Sequence, residues 1–173
     1  MTSSASTHRP GAVTVITISD SAHLGTRRVD ESGDVLEARL REAGFEVAPR
    51  LVVPDERLVI AAALRRLCTN PNVAAVFTTG GTGIGPRDVT PEATLDVVEQ
   101  VLPGMAEAMR SASLQHTPHA MLSRQVAGIR NHTLIVNLPG SPKAVKECLE
   151  VVLPVLPHTL QLLSGRAVHQ DVP

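Results

Sequence analysis

The chain has 173 residues, enough for one domain with a substantial core, and a formal net charge of −1 that gives no electrostatic reason to expect a nucleic-acid or anionic-membrane partner. Phe45 and Phe77 are its only aromatic side chains, so the core is aliphatic and the stacking platforms of single-strand nucleic-acid binders are missing. No run approaches the roughly 20 apolar residues of a membrane span, and residues 1–11 are Ser/Thr-rich without the apolar segment of a signal peptide. These features lead us to expect a cytoplasmic protein: a single domain over 12–165, a disordered segment 1–11 and a flexible tail 166–173.

Val13 to Ile18 is a short β-branched run and reads as a strand. A helix is expected over 30–43, with Val35, Leu36, Leu40 and Ala43 on one face and Gly44 just past its end. Phe45 to Val53 reads as the next strand, and Pro54-Asp55 introduces a helix to Cys68 with Ile60, Leu64 and Leu67 at helical spacing. Val73 to Thr78 is a third strand. Thr90 suits an N-cap and Pro91 a first helical position, so a helix to about Leu102 follows, then a second from Met105 to Gln115. Arg124 to Ile129 and Thr133 to Asn137 read as two strands joined by a turn. Ser141-Pro142 repeats the N-cap signal and opens a helix to Val152, and Pro154 and Pro157 precede a last helix ending near Gly165. Cys68 and Cys148 fall inside expected helices, which favours two buried thiols over a disulfide.

This alternation predicts an α/β fold: a mostly parallel sheet with helices on both faces and, because residues 124–137 turn so tightly, one antiparallel strand. Parallel strands gather the loops at their carboxyl ends along one edge, where ligands bind if the strand order reverses. The chemistry-bearing segments all follow strands. They are Ser19-Asp20-Ser21, Pro54-Asp55-Glu56, the run Thr79-Gly80-Gly81-Thr82-Gly83-Ile84-Gly85-Pro86-Arg87-Asp88-Val89-Thr90, and Asn137-Leu138-Pro139-Gly140-Ser141-Pro142-Lys143. Glycine-rich turns opening into helices present N–H groups to anions. Carboxylates beside them suit Mg²⁺, which is held by one or two carboxylates plus phosphate oxygens.

Familiar phosphate motifs do not fit. No Gly-Lys-Ser/Thr follows Gly85, and Pro86 occupies the third glycine position of a dinucleotide fingerprint. Several residues also have plain structural readings. Asp55 suits the first turn of a helix, Asp88 a partner for Arg87, Ser141 an N-cap and Lys143 a solvated charge. His116 and His119 flank Pro118 in a loop, which argues against a metal pair.

Thr79 to Gly83, Arg87 to Thr94 and Leu138 to Lys143, with Ala120 to Arg124 and Glu147 to Leu149, resemble the Mog/MoaB family of molybdenum cofactor biosynthesis proteins from about Val13 to Gly165. The resemblance implies a three-layer α/β sandwich, generally trimeric, that uses Mg-ATP to place AMP on the terminal phosphate of molybdopterin. Pyrophosphate leaves, and the product passes to a molybdenum insertase. It implies Asp55 and Asp88 as catalytic residues, to which we assign the Mg²⁺. It also implies substrate-binding roles for Ser19, Asp20, Thr79, Gly80, Gly81, Thr82, Gly83, Arg87, Thr90, Asn137, Pro139, Gly140, Ser141 and Lys143. Whether Arg87 or Lys143 faces the phosphates stays open. Many relatives carry Tyr where Arg28 stands, which leaves the role of the 22–30 loop open too. Competing readings are a non-catalytic molybdopterin-binding paralogue or scaffold, a phosphatase with Asp88 as nucleophile, and a purely structural trimer subunit. The phosphatase reading lacks the usual Asp-x-Asp directly after a strand.

Overall fold

A computed structural model describes residues 11–26 and 29–165; the segments expected to be disordered, apart from Gly11, and Arg28 lie outside the described residues. In chain order the elements are β1 (Ala12–Ile18), α1 (Asp20–His23), α2 (Glu31–Glu42), β2 (Leu51–Val53), α3 (Arg57–Cys68), β3 (Val73–Thr79), α4 (Thr90–Leu95) and β4 (Gln100–Val101). They continue as α5 (Pro103–Leu114), a 3-10 turn (Pro118–Leu122), β5 (Ala127–Arg130), β6 (Thr133–Leu138), α6 (Pro142–Val152) and α7 (Leu156–Leu163). Gly11 is placed and leads straight into β1.

The six strands lie in the order β2-β1-β3-β6-β5-β4. The strands β2, β1, β3 and β6 are mutually parallel, while β5 runs antiparallel to β6 and β4 antiparallel to β5. The expected single reversed strand is therefore β5, formed because Asn131, at φ 53°, completes a two-residue reversal between β5 and β6.

Both faces of the sheet are covered, which is why its central strands read as continuous apolar runs. On one face Val13, Val15, Phe77, Leu134 and Val136 pack with Leu36 and Leu40 of α2, Met109 of α5, Leu149 of α6 and Leu160 of α7. On the other, Ile16, Ile18, Val76 and Ile135 pack with Ile60 and Leu64 of α3 and with Ala93 of α4. The result is the three-layer arrangement implied by the resemblance. Cys148 belongs to the first core and Cys68 to the second, so both thiols are buried and free, with the sheet between them.

Several elements differ from expectation, among them the unforeseen α1 and the 3-10 turn. The strand expected from Phe45 shrinks to β2, preceded by a single bridge from Val47 to Val13. Pro49 explains the gap, since it has no N–H to give to the neighbouring strand. The helix expected to reach Leu102 stops at Leu95, and Gln100 and Val101 instead pair with Ile129 and Gly128 as β4. The α4 start also shifts by one residue: Val89 is the cap position and Thr90 lies inside the first turn.

Candidate active site

The strand order reverses between β1 and β3. From β1 the chain moves one way to β2, and from β3 it moves the other way to β6, so the loops at their carboxyl ends part and leave a crevice. The register aligns Ile18 with Val53 and Thr79 with Leu138, which brings the four polar segments singled out in the sequence to one edge.

The glycine loop is fastened from both sides. Gly80 donates to the Leu138 carbonyl at 3.2 Å, and the Thr79 hydroxyl donates to the Pro139 carbonyl at 2.7 Å, tying the loop to the turn after β6. Gly140 completes that contact; a methyl group there would stand 3.5 Å from the Gly80 Cα. Thr90, fully buried, donates its hydroxyl to the Gly80 carbonyl at 2.9 Å and its N–H to the Gly81 carbonyl at 3.1 Å. Gly80 and Gly81 have φ of 103° and 65°, where a side chain is strained, and a Cβ on Gly80 would collide with the Ile18 carbonyl oxygen of β1. With Gly80 thus engaged, the N–H groups of Gly81, Thr82 and Gly83 donate to no described residue. Gly81 and Gly83 are partly exposed and Thr82 is buried, so the three successive N–H groups form an open concavity that an anion can reach.

Carboxylates converge on this loop. Asp20 and Asp55 grip each other reciprocally: the Asp20 N–H donates to Asp55 Oδ2 at 2.8 Å, and the Asp55 N–H donates to Asp20 Oδ1 at 3.0 Å. This locks the β1 and β2 loops together. It also accounts for a turn at Pro54-Asp55, with α3 beginning only at Arg57. Arg87 reaches across and chelates Asp20, its Nε 3.0 Å and one terminal nitrogen 2.8 Å from Oδ2. The Asp55 N–H and the Arg87 guanidinium together hold the Asp20 carboxyl below its ordinary pKa. Asp55 goes the other way. Burial pushes it up, and the negative charges of Asp20 and Asp88 add to the push. Asp88 folds under its own loop, where Oδ2 accepts from the Gly85 N–H at 2.7 Å. Oδ1 of Asp55 and Oδ1 of Asp88 accept no hydrogen bond from a described residue, so each carries free lone pairs beside the loop. These are the groups a hard divalent cation takes.

Not every residue singled out in the sequence faces the crevice. Asn137 is fully buried behind it, its amide donating to the hydroxyls of Thr78 and Thr94 at 3.0 and 2.9 Å, so it braces β6 against β3 and α4. Ser19 caps the short helix α1, its hydroxyl accepting from the Ala22 N–H at 3.2 Å. Ser141 stands at the cap position of α6 but its hydroxyl makes no capping bond. Lys143 is exposed at the mouth of a second cavity of about 410 Å³. Thr82 and Gly83 form one wall of this cavity, and Pro139 and Ser141 part of another; His116 and His119 also line it.

One residue with a clear role was missed. Arg124, on the segment before β5, donates to the carbonyls of Gly83 (2.7 Å) and Asp88 (2.6 Å) and pairs with the Glu92 carboxylate, while its N–H donates to the Thr82 carbonyl at 2.9 Å. It bolts the glycine loop, the Asp88 backbone and α4 into one unit. The segment Ala120 to Arg124 carried part of the resemblance, but the role of its arginine depends on carbonyls and a carboxylate distant in the chain, which the sequence does not announce.

Comparison with known proteins identifies the family. The family described as a probable molybdopterin binding domain matches residues 14–158. The molybdopterin adenylyltransferase of Helicobacter pylori strain J99 is 44% identical over 155 residues, covering 87% of this chain and 86% of that protein. The molybdopterin adenylyltransferase of Escherichia coli K12 is 42% identical over 166 residues, covering 87% and 84%. The crystal structure of the molybdopterin biosynthesis enzyme MoaB from Thermus thermophilus superposes with a TM-score of 0.83 at 46% identity, covering 90% of this chain and 97% of that one. With the match spanning both glycine turns and both carboxylates, the chain belongs to the Mog/MoaB family of molybdenum cofactor biosynthesis proteins.

Proposed function

We propose that the protein is a molybdopterin adenylyltransferase, joining AMP from ATP to the terminal phosphate of molybdopterin and releasing pyrophosphate. The observation that carries this reading is the juxtaposition, at one switch point, of the unpaired Gly81, Thr82 and Gly83 amides with the free oxygens of Asp55 and Asp88. The amides suit a polyphosphate, and the carboxylates suit the magnesium that accompanies it.

A phosphate monoester has its second pKa near 6, so the molybdopterin phosphate is already an anionic nucleophile at neutral pH and needs no strong base. Its oxygen forms the new bond to the α-phosphorus of ATP as the bond from that phosphorus to the bridging oxygen of pyrophosphate breaks. What the protein contributes is alignment and a positive field. The Gly81 to Gly83 amides hold the phosphates without rearranging, because Thr90, Thr79 and Arg124 have already fixed the loop. Arg87 supplies the cation nearest Asp20 and Asp55, and Lys143 a second at the rim of the neighbouring cavity. Bound Mg²⁺, held by Asp55 and Asp88, would offset charge on the phosphates and counter the burial and the neighbouring negative charges that raise the Asp55 pKa.

The resemblance extends this reading to a cytoplasmic homotrimer that passes its product to a molybdenum insertase; sedimentation equilibrium checks the assembly. The activity is tested by incubating the protein with molybdopterin, ATP and Mg²⁺. Adenylylated pterin and pyrophosphate should appear in equal amounts, and Asp55→Asn or Asp88→Asn should reduce turnover far more than pterin affinity. Undiminished turnover by both variants would defeat the assignment of the carboxylates. Binding without turnover by the unaltered protein would favour a binding-only paralogue.

A further inference from the structure

The cavity beside the glycine loop contains a carboxylate that the chemistry above does not use. Glu147 sits on α6, six residues after Ser141 and so about 9 Å along the helix from the turn that meets the glycine loop. Its side chain is only 13% exposed. Other carboxylates buried to this degree are tied down: Glu37 lies 3.0 Å from Arg41, and Asp30 accepts from the Gly33 N–H at 3.1 Å. Glu147 accepts no hydrogen bond from any described residue. Its nearest cation is Lys143, 3.9 Å away and 77% exposed, too distant for a hydrogen bond. A carboxylate lining a cavity without a donor of its own leaves its acceptor positions open to a ligand's N–H groups.

An ionised carboxylate only accepts, and it accepts best from two parallel N–H donors. Around Glu147 the cavity offers Ile84, Leu122, Pro139 and Ala144 as apolar walls, and its volume of about 410 Å³ lies in the range of small-molecule sites, roughly 300–1,000 Å³. A flat heterocycle with adjacent ring N–H and exocyclic amine groups fills both demands. The 2-amino-4-oxopyrimidine edge shared by pterins and guanine has those two donors side by side. Adenine presents a ring acceptor there, which a carboxylate repels.

We infer that Glu147 reads the 2-amino-4-oxopyrimidine edge of the pterin and so fixes which way the substrate enters. The inference rests on the proposed adenylyltransferase reading. In a pterin this edge lies opposite the ring carbons that carry the phosphate-bearing substituent. Anchoring it at Glu147 sends the substituent back towards Thr82 and Gly83, the wall shared with the Asp55–Asp88 crevice. The same contact excludes adenine from this cavity and leaves ATP to the crevice.

The chain has no Trp and no Tyr, so pterin fluorescence can be followed against a dark protein background. Titrations would use 6-hydroxymethylpterin, 6-hydroxymethyllumazine (which carries a 2-oxo group in place of the amine) and guanosine, with the full chain and with Glu147→Ala and Glu147→Gln. Mg-ATP binding, followed by calorimetry, reports that each variant remains folded with its crevice intact. The unaltered protein should prefer the pterin to the lumazine by at least about 10-fold, the worth of one hydrogen bond to a charged group. Both variants should lose that preference while binding Mg-ATP normally. If Glu147→Ala keeps the preference, the role of Glu147 is overturned while the adenylyltransferase reading stands. If guanosine binds as tightly as the pterin, the pyrimidine edge is confirmed but the pterin as its source is overturned. If the unaltered protein neither binds the pterin nor adenylylates molybdopterin, the underlying reading has failed.

Discussion

Replacing Gly81 by alanine tests how the loop is held. At φ 65° an alanine adopts the left-handed region at a cost of about 1–2 kcal/mol. The new methyl group would also fall inside the Thr90 hydroxyl, which has no room to retreat because Thr90 is fully buried. Displacing that hydroxyl breaks its bond to the Gly80 carbonyl and strands a buried acceptor, a further loss of about 1–3 kcal/mol. Together these predict a destabilisation of roughly 2–5 kcal/mol, which in a domain of this size lowers Tm by roughly 5–20 °C. The methyl group would also sit 3.2 Å from Asp55 Oδ1, crowding the carboxylate assigned to the magnesium. Turnover measured well below the melting transition should therefore fall by about 10-fold or more, as expected when a reacting group is misplaced by a fraction of an ångström. Calorimetric melting and a pyrophosphate-release assay on the same preparation provide both numbers. A variant that melts within about 2 °C of the parent and turns over normally would refute the claim that position 81 is wedged between Thr90 and Asp55.

Gly104→Ala is the opposite case: it lies in the first turn of α5 with nothing within 4 Å of the added methyl group, so melting should show a gain of about 0.4–1 kcal/mol. Arg124→Lys keeps the charge but cannot serve two carbonyls and a carboxylate at once. It should lower kcat by roughly 10-fold with a smaller change in KM for ATP, and hydrogen exchange should quicken at the Gly85 amide, whose acceptor is Asp88. Asp55→Asn should gain stability relative to the parent at neutral pH. The folded-state pKa of Asp55 is raised, so its contribution is fully present below the unfolded value near 3.9 and is lost as pH rises through the folded one. Denaturant titrations at pH 4 and pH 7 should show the variant's advantage growing across that interval, and an advantage that shrinks would contradict the sign.

The buried frame was legible because its residues answer to local rules. β1, β3 and β6 are bounded apolar runs, α2 carries a helical stripe with Gly44 past its end, and α6 a start signal at Ser141-Pro142. That the loops gather on one edge followed from strand and helix alternation; the strand order that opens the crevice between β1 and β3 did not. Edges were less legible. The segment from Asp96 to Leu102 has enough helical spacing to be read as a continuation of α4, yet Gln100 and Val101 are drawn into the sheet by β5, a pairing no local pattern announces. Within the site, the glycines, Asp55 and Asp88 could be given roles from their motifs, whereas Arg124 and Glu147, though inside segments that carry the resemblance, take their roles only from what surrounds them. Asn137 shows the reverse: it belongs to a recognisable turn, but the fold turns its amide inward to Thr78 and Thr94.

The two thiols on opposite sides of the sheet give the domain a reporter for each of its layers. Cys68 packs under the α3–α4 face and Cys148 under the α5–α6 face, and burial raises both thiol pKa values, so neither reacts until its own layer opens. Alkylation rates at the two sites, resolved by peptide mass, would therefore separate the opening of one helical layer from that of the other. The glycine loop joins the α4 side to the α6 side through Thr90 and Pro139. Mg-ATP that seats on the loop should slow both thiols together, making the pair a measure of how far occupancy of one crevice stiffens the whole sandwich.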